Sequence, residues 1–208
     1  MTPYQIPTAH GEAELVEKRS RFIGQVWPVT AETEAQTLLA AVQKEHHAAA
    51  HNVYAYIIRD TGVVRYSDNG EPQGTAGQPV LNVFVKEEIT NVLCVVTRYF
   101  GGTLLGAGGL VRAYGQAAKL ALDAAGISIV RPWRRVSLGC TYAQYERLQK
   151  IAVEQGAVVE ATDFAVDVTL MLLVSEPETA AFCAHMLDVS AGTATLTELG
   201  TEEIAVPL

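Results

Sequence analysis

The sequence predicts an α+β fold in two domains, and three observations carry this prediction. At 208 residues the chain is long enough to bury two small cores. Strand-like and helix-like segments alternate along its whole length and are separated by Gly and Pro. The pattern restarts after Arg131 and Pro132, so we expect one domain at residues 1–131 and another at 132–208.

The elements of the first domain follow from hydrophobic spacing and from turn residues. Alternating apolar residues predict strands, and a spacing of three and four residues predicts helices. We expect two strands within 12–29 that bend at 17–21, then a helix capped by Thr30 that runs to about Lys44. Strands at 53–59 and 63–67 follow, and a long loop at 67–79 leads to a short helix at 80–85. The last two elements are a strand at 91–98 buried on both faces and a helix from Gly108 or Gly109 to Ala125 that Gly126 ends.

The second domain is predicted to have the order strand, helix, strand, strand, helix, strand. This order is that of a ferredoxin-like βαββαβ domain. We expect a strand at 134–140 and then a helix with a capping box at 141–144 that ends at Gly156. A hairpin of 157–161 and 164–174 follows and turns at Thr162 and Asp163. A helix from a second capping box at 175–178 to about Leu187 and a strand at 195–206 complete the domain.

Composition and charge exclude several classes of protein. The chain is 49% hydrophobic and 18% charged, which is typical of a folded globular protein. No apolar run approaches the roughly 20 residues of a membrane helix, and no segment has the pattern of a secretory signal. The three cysteines are scattered in apolar surroundings. We therefore expect buried thiols, no membrane span and a cytoplasmic location.

The negative charge is unevenly distributed between the two predicted domains. The net charge is −8, which argues against a nonspecific nucleic-acid coat. Residues 1–131 carry eleven Lys and Arg against twelve Asp and Glu, whereas residues 132–208 carry four against eleven. A polyanion would therefore meet the first domain, and the acidic second domain would face water or a basic protein partner.

A glycine-rich loop between the doubly buried strand and the following helix is the first candidate site. Its backbone N–H groups and the helix N-terminus could hold an anion or a phosphate. The spacing is neither a Walker nor a Rossmann pattern, and an equal alternative is a tight turn with close packing of the helix. The anion-binding candidates are Arg98, Gly101, Gly102, Gly106, Gly108, Gly109 and Arg112.

The long loop before the short helix is the second candidate, since long ordered loops in compact domains are often functional. Asp68, Glu71 and Thr75 lie in it together with Gly74 and Gly77. The sequence Asp68-Asn69-Gly70 is also an ordinary turn. A role in the turn alone is favoured for Asp68, Glu71 and Thr75, while the loop as a whole is interpreted as functional.

The remaining reactive residues predict no metal, cofactor or catalytic centre. His47 and His51 are four residues apart, but Ala48 stands where a zinc protease would have its glutamate. We interpret them as a polar helix end. The cysteines form no Cys-x-x-Cys pair, and no serine lies in a Gly-x-Ser-x-Gly elbow.

Two segments together resemble the signature segments of the YigZ/IMPACT family. They are residues 66–79 and 98–114, supported by residues 18–22 and 51–56. The resemblance covers roughly the first 130 residues, and the acidic second domain is similar to that of the bacterial two-domain form. Asn69 stands where many relatives are expected to have a second acidic residue, which argues against a metal or acid–base role in that loop.

The resemblance implies particular folds and a general link to translation. The first domain would be similar to the β-α-β domain shared by a small-subunit ribosomal protein, domain IV of elongation factor G and the GHMP kinases. The second would be similar to the last, ferredoxin-like domain of elongation factor G. Eukaryotic members of the family regulate translation through protein contacts, using additional sequence that this chain lacks.

Three functional hypotheses follow, of which we favour the first. A noncatalytic, regulatory protein would bind RNA or ribosomal particles, with Arg98, Arg112 and the glycine loop holding phosphates. A protein-binding module would use the acidic second domain as its docking surface. An enzyme would act on a phosphorylated small molecule, with Asp68 or Glu71 as acid or base.

Overall fold

The protein is described by a computed structural model that covers residues 2–208, and its mixed content of strands and helices agrees with the predicted α+β class. The strands are β1 (Tyr4–Pro7), β2 (Gly11–Glu17), β3 (Ser20–Pro28), β4 (His51–Ile58), β5 (Val63–Ser67), β6 (Val92–Tyr99), β7 (Ile127–Cys140), β8 (Val158–Phe164), β9 (Val168–Ser175) and β10 (Thr195–Pro207). The helices are α1 (Glu32–Glu45), α2 (Gly77–Lys86), α3 (Ala107–Ala125), α4 (Tyr142–Glu154) and α5 (Thr179–Val189). Within residues 2–208, none of these helices combines the length and the apolar character that crossing a bilayer requires.

The chain divides into two compact units. The N-terminal unit contains Tyr4–Ile129 and Ala205–Leu208, and the C-terminal unit contains residues 2–3 and Val130–Ile204. The predicted strand at 134–140 begins earlier than expected, because β7 runs from Ile127 through Pro132 to Cys140 as one strand. Pairing of β7 with β9 begins only at Trp133, so the missing N–H of Pro132 costs no hydrogen bond in that ladder.

The N-terminal unit is built on an antiparallel sheet with the order β2-β3-β6-β4-β5. Strand β6 lies at its centre and is buried at every position from Val92 to Arg98. Alternate side chains of β6 pack into two cores: Cys94 and Val96 join the core with α2 and α3, whereas Leu93 and Val95 join the core with α1. The prediction of a strand buried on both faces is confirmed.

Two close approaches position α3 and the glycine loop before it. Gly24 in β3 lets the helix pack closely, since a Cβ there would lie 2.4 Å from the carbonyl oxygen of Ala117. The β2–β3 turn is formed by Lys18 and Arg19, which both have positive φ (46° and 68°). Gly101 lies against this turn and donates its N–H to Ser20 Oγ at 3.2 Å. The glycine loop, the turn and the helix therefore form one region.

The C-terminal unit has the predicted order of elements, and its strands are arranged β10-β7-β9-β8. Leu138 and Leu170 from the sheet pack with Leu148 of α4 and Met186 of α5 in one core. The capping box at the start of α4 is confirmed: Thr141 and Gln144 form both of its side-chain contacts with the backbone.

Several local predictions were wrong, each for a local reason. The β8–β9 turn lies at residues 165–167, because Thr162 and Asp163 pair with β9. Ser175 does not cap a helix through its side chain; a 3-10 turn at Glu176–Glu178 precedes α5. The N-cap of α1 is Ala31, since Thr30 instead donates its backbone N–H to Glu34. The loop after β5 ends earlier than expected because α2 begins at Gly77, and β1 was not predicted at all.

Candidate functional site

A pocket of about 480 Å³ opens between the glycine loop and the loop after β5. It contains residues from both candidate regions of the sequence, and we call it the site pocket. Its lining residues are Ala50, His51, Glu71, Pro72, Arg98, Phe100, Leu104, Leu105, Gly106, Ala107 and Leu110. The structure therefore brings Glu71 of the loop after β5 together with Arg98 of β6 and Gly106 of the glycine loop.

A buried ion pair lies in the site pocket. Glu71 and Arg98 have side chains that are only 4% and 6% exposed, and Arg98 Nη1 donates to Glu71 Oε1 at 2.6 Å. The hydroxyl of Tyr114 donates to the same oxygen at 2.8 Å. Burial, followed by the nearby Glu71 carboxylate, raises the pKa of Tyr114, so it stays a neutral donor. One carboxylate thus joins the loop after β5 to β6 and α3.

The position of Arg98 differs from that of an exposed phosphate clamp. Its guanidinium lies near the rings of Phe22 and Phe100, at 5.4 and 5.6 Å from their centroids, and Nη2 donates to Ser20 Oγ at 3.3 Å. Its charge is already paired with Glu71. Phosphate binding by Arg98 stays a prediction, and it would have to compete with this buried carboxylate.

The histidines do not come together as a metal site. His51 Nδ1 bonds to the carbonyl oxygen of Asn69 at 2.8 Å, which places the proton on Nδ1, and its Nε2 lies 3.8 Å from Glu71 Oε1. His46 bonds to the hydroxyl of Tyr99, and His47 contacts the carbonyl of Lys44. Over residues 2–208 there is no group of three or more acidic, His and Cys side chains arranged to hold a metal ion.

Asp68 organises the loop after β5 through its carboxylate. Oδ1 accepts the backbone N–H groups of Ala76 and Gly77, and Oδ2 accepts that of Gly74. Burial acts to raise the pKa of Asp68, but the three N–H donors outweigh it, so the pKa lies below its usual value. Thr75 is itself buried and donates to the carbonyl of Pro72. These contacts agree with the favoured role in the turn for Asp68 and Thr75, whereas Glu71 departs from it because its carboxylate pairs with Arg98 and Tyr114.

Replacing Asp68 with asparagine should destabilise the protein at neutral pH by about 2 kcal/mol, because charge-assisted hydrogen bonds are lost. A carboxylate with a lowered folded pKa stabilises above its unfolded pKa of about 3.9 and loses that contribution as the pH falls through the folded pKa. Urea denaturation between about pH 7 and pH 2 should show the difference from wild type shrinking in acid. Asp60→Asn, at a 76% exposed side chain, is the control; an equal effect there would contradict this role.

Asn69 supports the same loop without any acidic function. Its φ is 45°, a left-handed conformation that Asn tolerates. Its Oδ1 accepts the backbone N–H of Asn52 at 2.7 Å, and Asn52 Oδ1 in turn accepts the hydroxyl of Thr97. This network and the partners Ser20 and Tyr114 were not identified from the sequence, since each of these contacts joins residues far apart in the chain.

The glycines of the two loops have different structural roles. Gly102 and Gly106 have φ of 81° and 72°, which other residues rarely adopt. Gly101 is in contact with the β2–β3 turn: a Cβ there would lie 2.0 Å from the carbonyl carbon and oxygen of Arg19. Gly108 is helical, and the nearest atom to a Cβ there is Arg112 Nη1 at 3.9 Å. Gly109 is tighter, with Leu105 Cβ at 3.0 Å.

In the loop after β5, one glycine is required by its backbone conformation and the other by close packing. Gly74 has a φ of 76° with open space around it. Gly77 begins α2 in contact with β5, where a Cβ would lie 2.7 Å from the carbonyl carbon of Ser67. Both glycines are therefore explained by backbone conformation or close packing.

Arg112 lies in a second, smaller pocket of about 130 Å³ together with Lys18. Both side chains are exposed, and so is Arg19 beside Lys18 in the turn. Among residues 2–208, no carboxylate lies within ion-pair distance of these three cations, although Glu17 lines the same pocket. We call Lys18, Arg19 and Arg112 the basic cluster. Arg98 and Arg112 thus line different pockets, contrary to the expected pair.

Comparisons with known protein families cover most of the chain. The Impact N-terminal domain family matches residues 18–122, which include the site pocket and the basic cluster. A domain of unknown function (DUF1949) matches residues 138–193 in the C-terminal unit. The two matched regions lie on either side of residue 130, where the two units divide.

Individual relatives show how far the similarity extends. The IMPACT family member YvyE of Bacillus subtilis is 35% identical over 189 residues, which are 90% of this chain and 87% of that protein. Protein IMPACT of Mus musculus is 35% identical over 106 residues, 48% of this chain and 32% of that protein. A crystal structure of a hypothetical protein is similar with a TM-score of 0.60 and 30% identity, over 96% of this chain and 98% of that one.

Proposed function

Because this chain belongs to the IMPACT family, we propose that it is a translation-associated regulatory protein that binds RNA or ribosomal particles. The family resemblance supports the link to translation, since the Impact N-terminal domain model matches residues 18–122 and the mouse relative is similar over 106 residues. The observation that carries RNA binding is the basic cluster. Its three cations form no ion pair with the rest of residues 2–208 and lie where α3 begins.

The geometry of the basic cluster suits a phosphate. Lys18 and Arg112 line one pocket with the backbone of Gly109 in the first turn of α3, whose N-terminus carries partial positive charge. Phosphate contacts supply most of the sequence-independent affinity for nucleic acid, and two unpaired cations are a minimal set. Glu17 in the same pocket opposes binding and keeps the site weak.

The fold proposals support the same function. We propose a ferredoxin-like fold for the C-terminal unit, which its strand order β10-β7-β9-β8 and two helices support. For the N-terminal unit we propose the fold of the ribosomal-protein and elongation factor G domains named above. Fold likeness alone does not fix function, so the basic cluster and not the fold carries the proposal.

A catalytic role is less well supported by these residues. Glu71 is already paired with Arg98 and Tyr114, and Asp68 is occupied by three backbone N–H groups. Neither carboxylate is thereby poised as a general acid or base with an activated partner. We therefore propose a noncatalytic, regulatory role.

Binding to single-stranded RNA should weaken with salt in a way that depends on Arg112. Lys18 and Arg112 are the two cations that line the pocket, and each would neutralise one phosphate. A plot of log affinity against log salt should then have a slope of about −1.4, since each contact on a single strand contributes roughly 0.7. Arg112→Ala should remove about half of that slope and lower affinity at every salt concentration. Fluorescence anisotropy with a labelled single-stranded RNA at several salt concentrations measures both quantities.

Two further variants test whether position or overall charge matters. Lys150→Ala removes an exposed cation of the C-terminal unit and should change the slope little. Glu17→Gln removes the opposing carboxylate of the pocket and should increase affinity. Equal small losses for Arg112→Ala and Lys150→Ala, or no RNA binding near physiological salt, would contradict the proposal.

A protein partner for the acidic C-terminal unit is the second candidate function. Two of the three arginines of β7 are already paired there: Arg135 with Glu160 and Glu202, and Arg134 with Glu176 and Glu198. Acidic side chains still outnumber basic ones in this part of the chain, so a basic protein surface would complement it. RNA-independent association with ribosomal particles would favour this candidate over RNA binding.

A further inference from the structure

We propose that the site pocket holds one unpaired nucleobase, stacked on Phe100, of an RNA strand whose phosphates lie on the basic cluster. This inference rests on the proposed function and names what the neighbouring pocket recognises. The chemistry is that of a flat aromatic ring with hydrogen-bonding edges. A free nucleoside offers the same chemistry, so the experiment below distinguishes the two sources.

The wall of the site pocket has apolar side chains that the fold leaves uncovered. Phe100 is 52% exposed and Leu104 is 82% exposed, while Leu105 and Leu110 continue the surface inward. The volume of about 480 Å³ lies within the range of small-molecule sites. Aromatic side chains beside cationic grooves are the usual platforms on which unpaired bases stack.

The polar groups of the site pocket suit a neutral edge better than an ion. An anion would face Glu71, and a cation would face Arg98, so the pair disfavours both. Glu71 Oε1 accepts both Arg98 and Tyr114, whereas no hydrogen bond reaches Oε2 from any of residues 2–208. The edge of a nucleobase carries hydrogen-bond donors and acceptors side by side, which matches the adjacent Glu71 carboxylate and Arg98 guanidinium of the site pocket.

The site pocket and the basic cluster are neighbours, which fits a strand that occupies both. Leu105 lines the site pocket and also the pocket of Lys18 and Arg112. Gly106, the N-cap of α3, lines the site pocket, and Gly109 in the first turn of α3 lines the second pocket. A backbone held at the basic cluster could therefore direct an adjacent base past Leu105 towards Phe100.

Phe100→Ala should weaken binding of a single-stranded RNA about tenfold, which corresponds to about 1.4 kcal/mol, because the variant removes one stacking platform. Phe100→Trp should retain affinity, because it keeps the stacking surface. Tyr66→Ala is the matched control: Tyr66 is an exposed aromatic residue of the same unit, 47% exposed, that does not line the site pocket. Thermal melts should show all three variants folded.

Photo-crosslinking locates the base independently of affinity. An oligonucleotide with 5-iodouridine should crosslink to the tryptic peptide 99–112, which contains Phe100. An abasic substitution at the crosslinking position should weaken wild type but not Phe100→Ala, because the two changes remove the same contact. Equal affinities of Phe100→Ala and Tyr66→Ala, with crosslinks elsewhere, would overturn the inference even if Arg112→Ala still weakens binding.

Failure of the proposed function gives a different result. If the wild-type protein binds no RNA, ligand-observed NMR with the four ribonucleosides tests whether a free nucleoside binds in the site pocket. Nucleoside binding that Phe100→Ala abolishes would assign the pocket to a free base. No binding of either RNA or nucleoside would reject the nucleobase altogether.

Discussion

Arg98→Ala is expected to lower the free energy of unfolding by about 3 to 5 kcal/mol, because it leaves the carboxylate of Glu71 buried without its partner charge. The two side chains are only 6% and 4% exposed, so water solvates the remaining carboxylate poorly. Arg98 also bonds to Ser20, next to the turn that holds the basic cluster. Urea denaturation of the wild-type and variant proteins measures the loss directly.

Two comparisons separate the buried pair from ordinary charge loss. Arg21→Ala breaks an exposed pair with Glu14 and should cost at most about 1 kcal/mol. The double variant Arg98→Met with Glu71→Gln should lose less than the sum of the single variants, because neither charge is left alone and the new amide oxygen can still accept the Tyr114 hydroxyl. Additive losses would show that the pair does not act as a unit.

Gly101→Ala is expected to be at least as disruptive as most overpacking changes, at about 3 kcal/mol or more. The added methyl would lie 2.0 Å from the backbone carbonyl of Arg19, and backbone cannot turn aside as a side chain can. The glycine loop and the β2–β3 turn would have to separate. Thermal denaturation should show this loss of stability. Fluorescence anisotropy should show reduced RNA binding as well, since the turn carries Lys18 and Arg19.

Gly108→Ala is the matched control within the same loop region. Its Cβ would meet no protein atom closer than 3.9 Å, and alanine favours a helix by about 1 kcal/mol over glycine. The variant should therefore be as stable as wild type or more so. Sequence alone treated Gly101 and Gly108 as members of one loop, and only the structure separates them. Equal destabilisation by both variants would contradict this explanation of the loop.

Sequence reasoning succeeded where the pattern was local. The unbroken apolar run of β6 predicted its burial on both faces, and the stripe of Ala and Leu predicted α3 nearly to the residue. The capping box of Thr141 and Gln144 is a contact between near neighbours. In each case the residues that make the signal are also those that make the structure.

The site could be predicted only in part, because its contacts are between distant residues. Glu71 lies 27 residues from Arg98 and 43 from Tyr114 along the chain. Arginine is usually exposed, so Arg98 was predicted to hold an anion rather than to pair with a buried carboxylate, and Tyr114 was not predicted to be a site residue. One signal was available: Arg98 ends an otherwise apolar buried strand, where a charged residue needs a buried partner.

The basic cluster also depended on tertiary structure. Lys18 and Arg19 were recognised in the sequence as a charged bend, and Arg112 as a flank of the glycine loop. Only the packing of α3 on β2 and β3 brings Lys18 and Arg112 into one pocket. The same packing leaves Arg98 in the other pocket with Glu71, which transfers the proposed phosphate contacts from Arg98 to Lys18.

Sedimentation with ribosomal particles tests the central claim most directly. Purified wild-type protein, Arg112→Ala and Lys150→Ala would each be mixed with ribosomal particles and separated on sucrose gradients at low and at physiological salt. The account predicts that wild type and Lys150→Ala move with the particles, that Arg112→Ala remains largely in the free fractions, and that added salt weakens the association. Wild-type protein found only in the free fractions at low salt, or Arg112→Ala moving with the particles as wild type does, would contradict it.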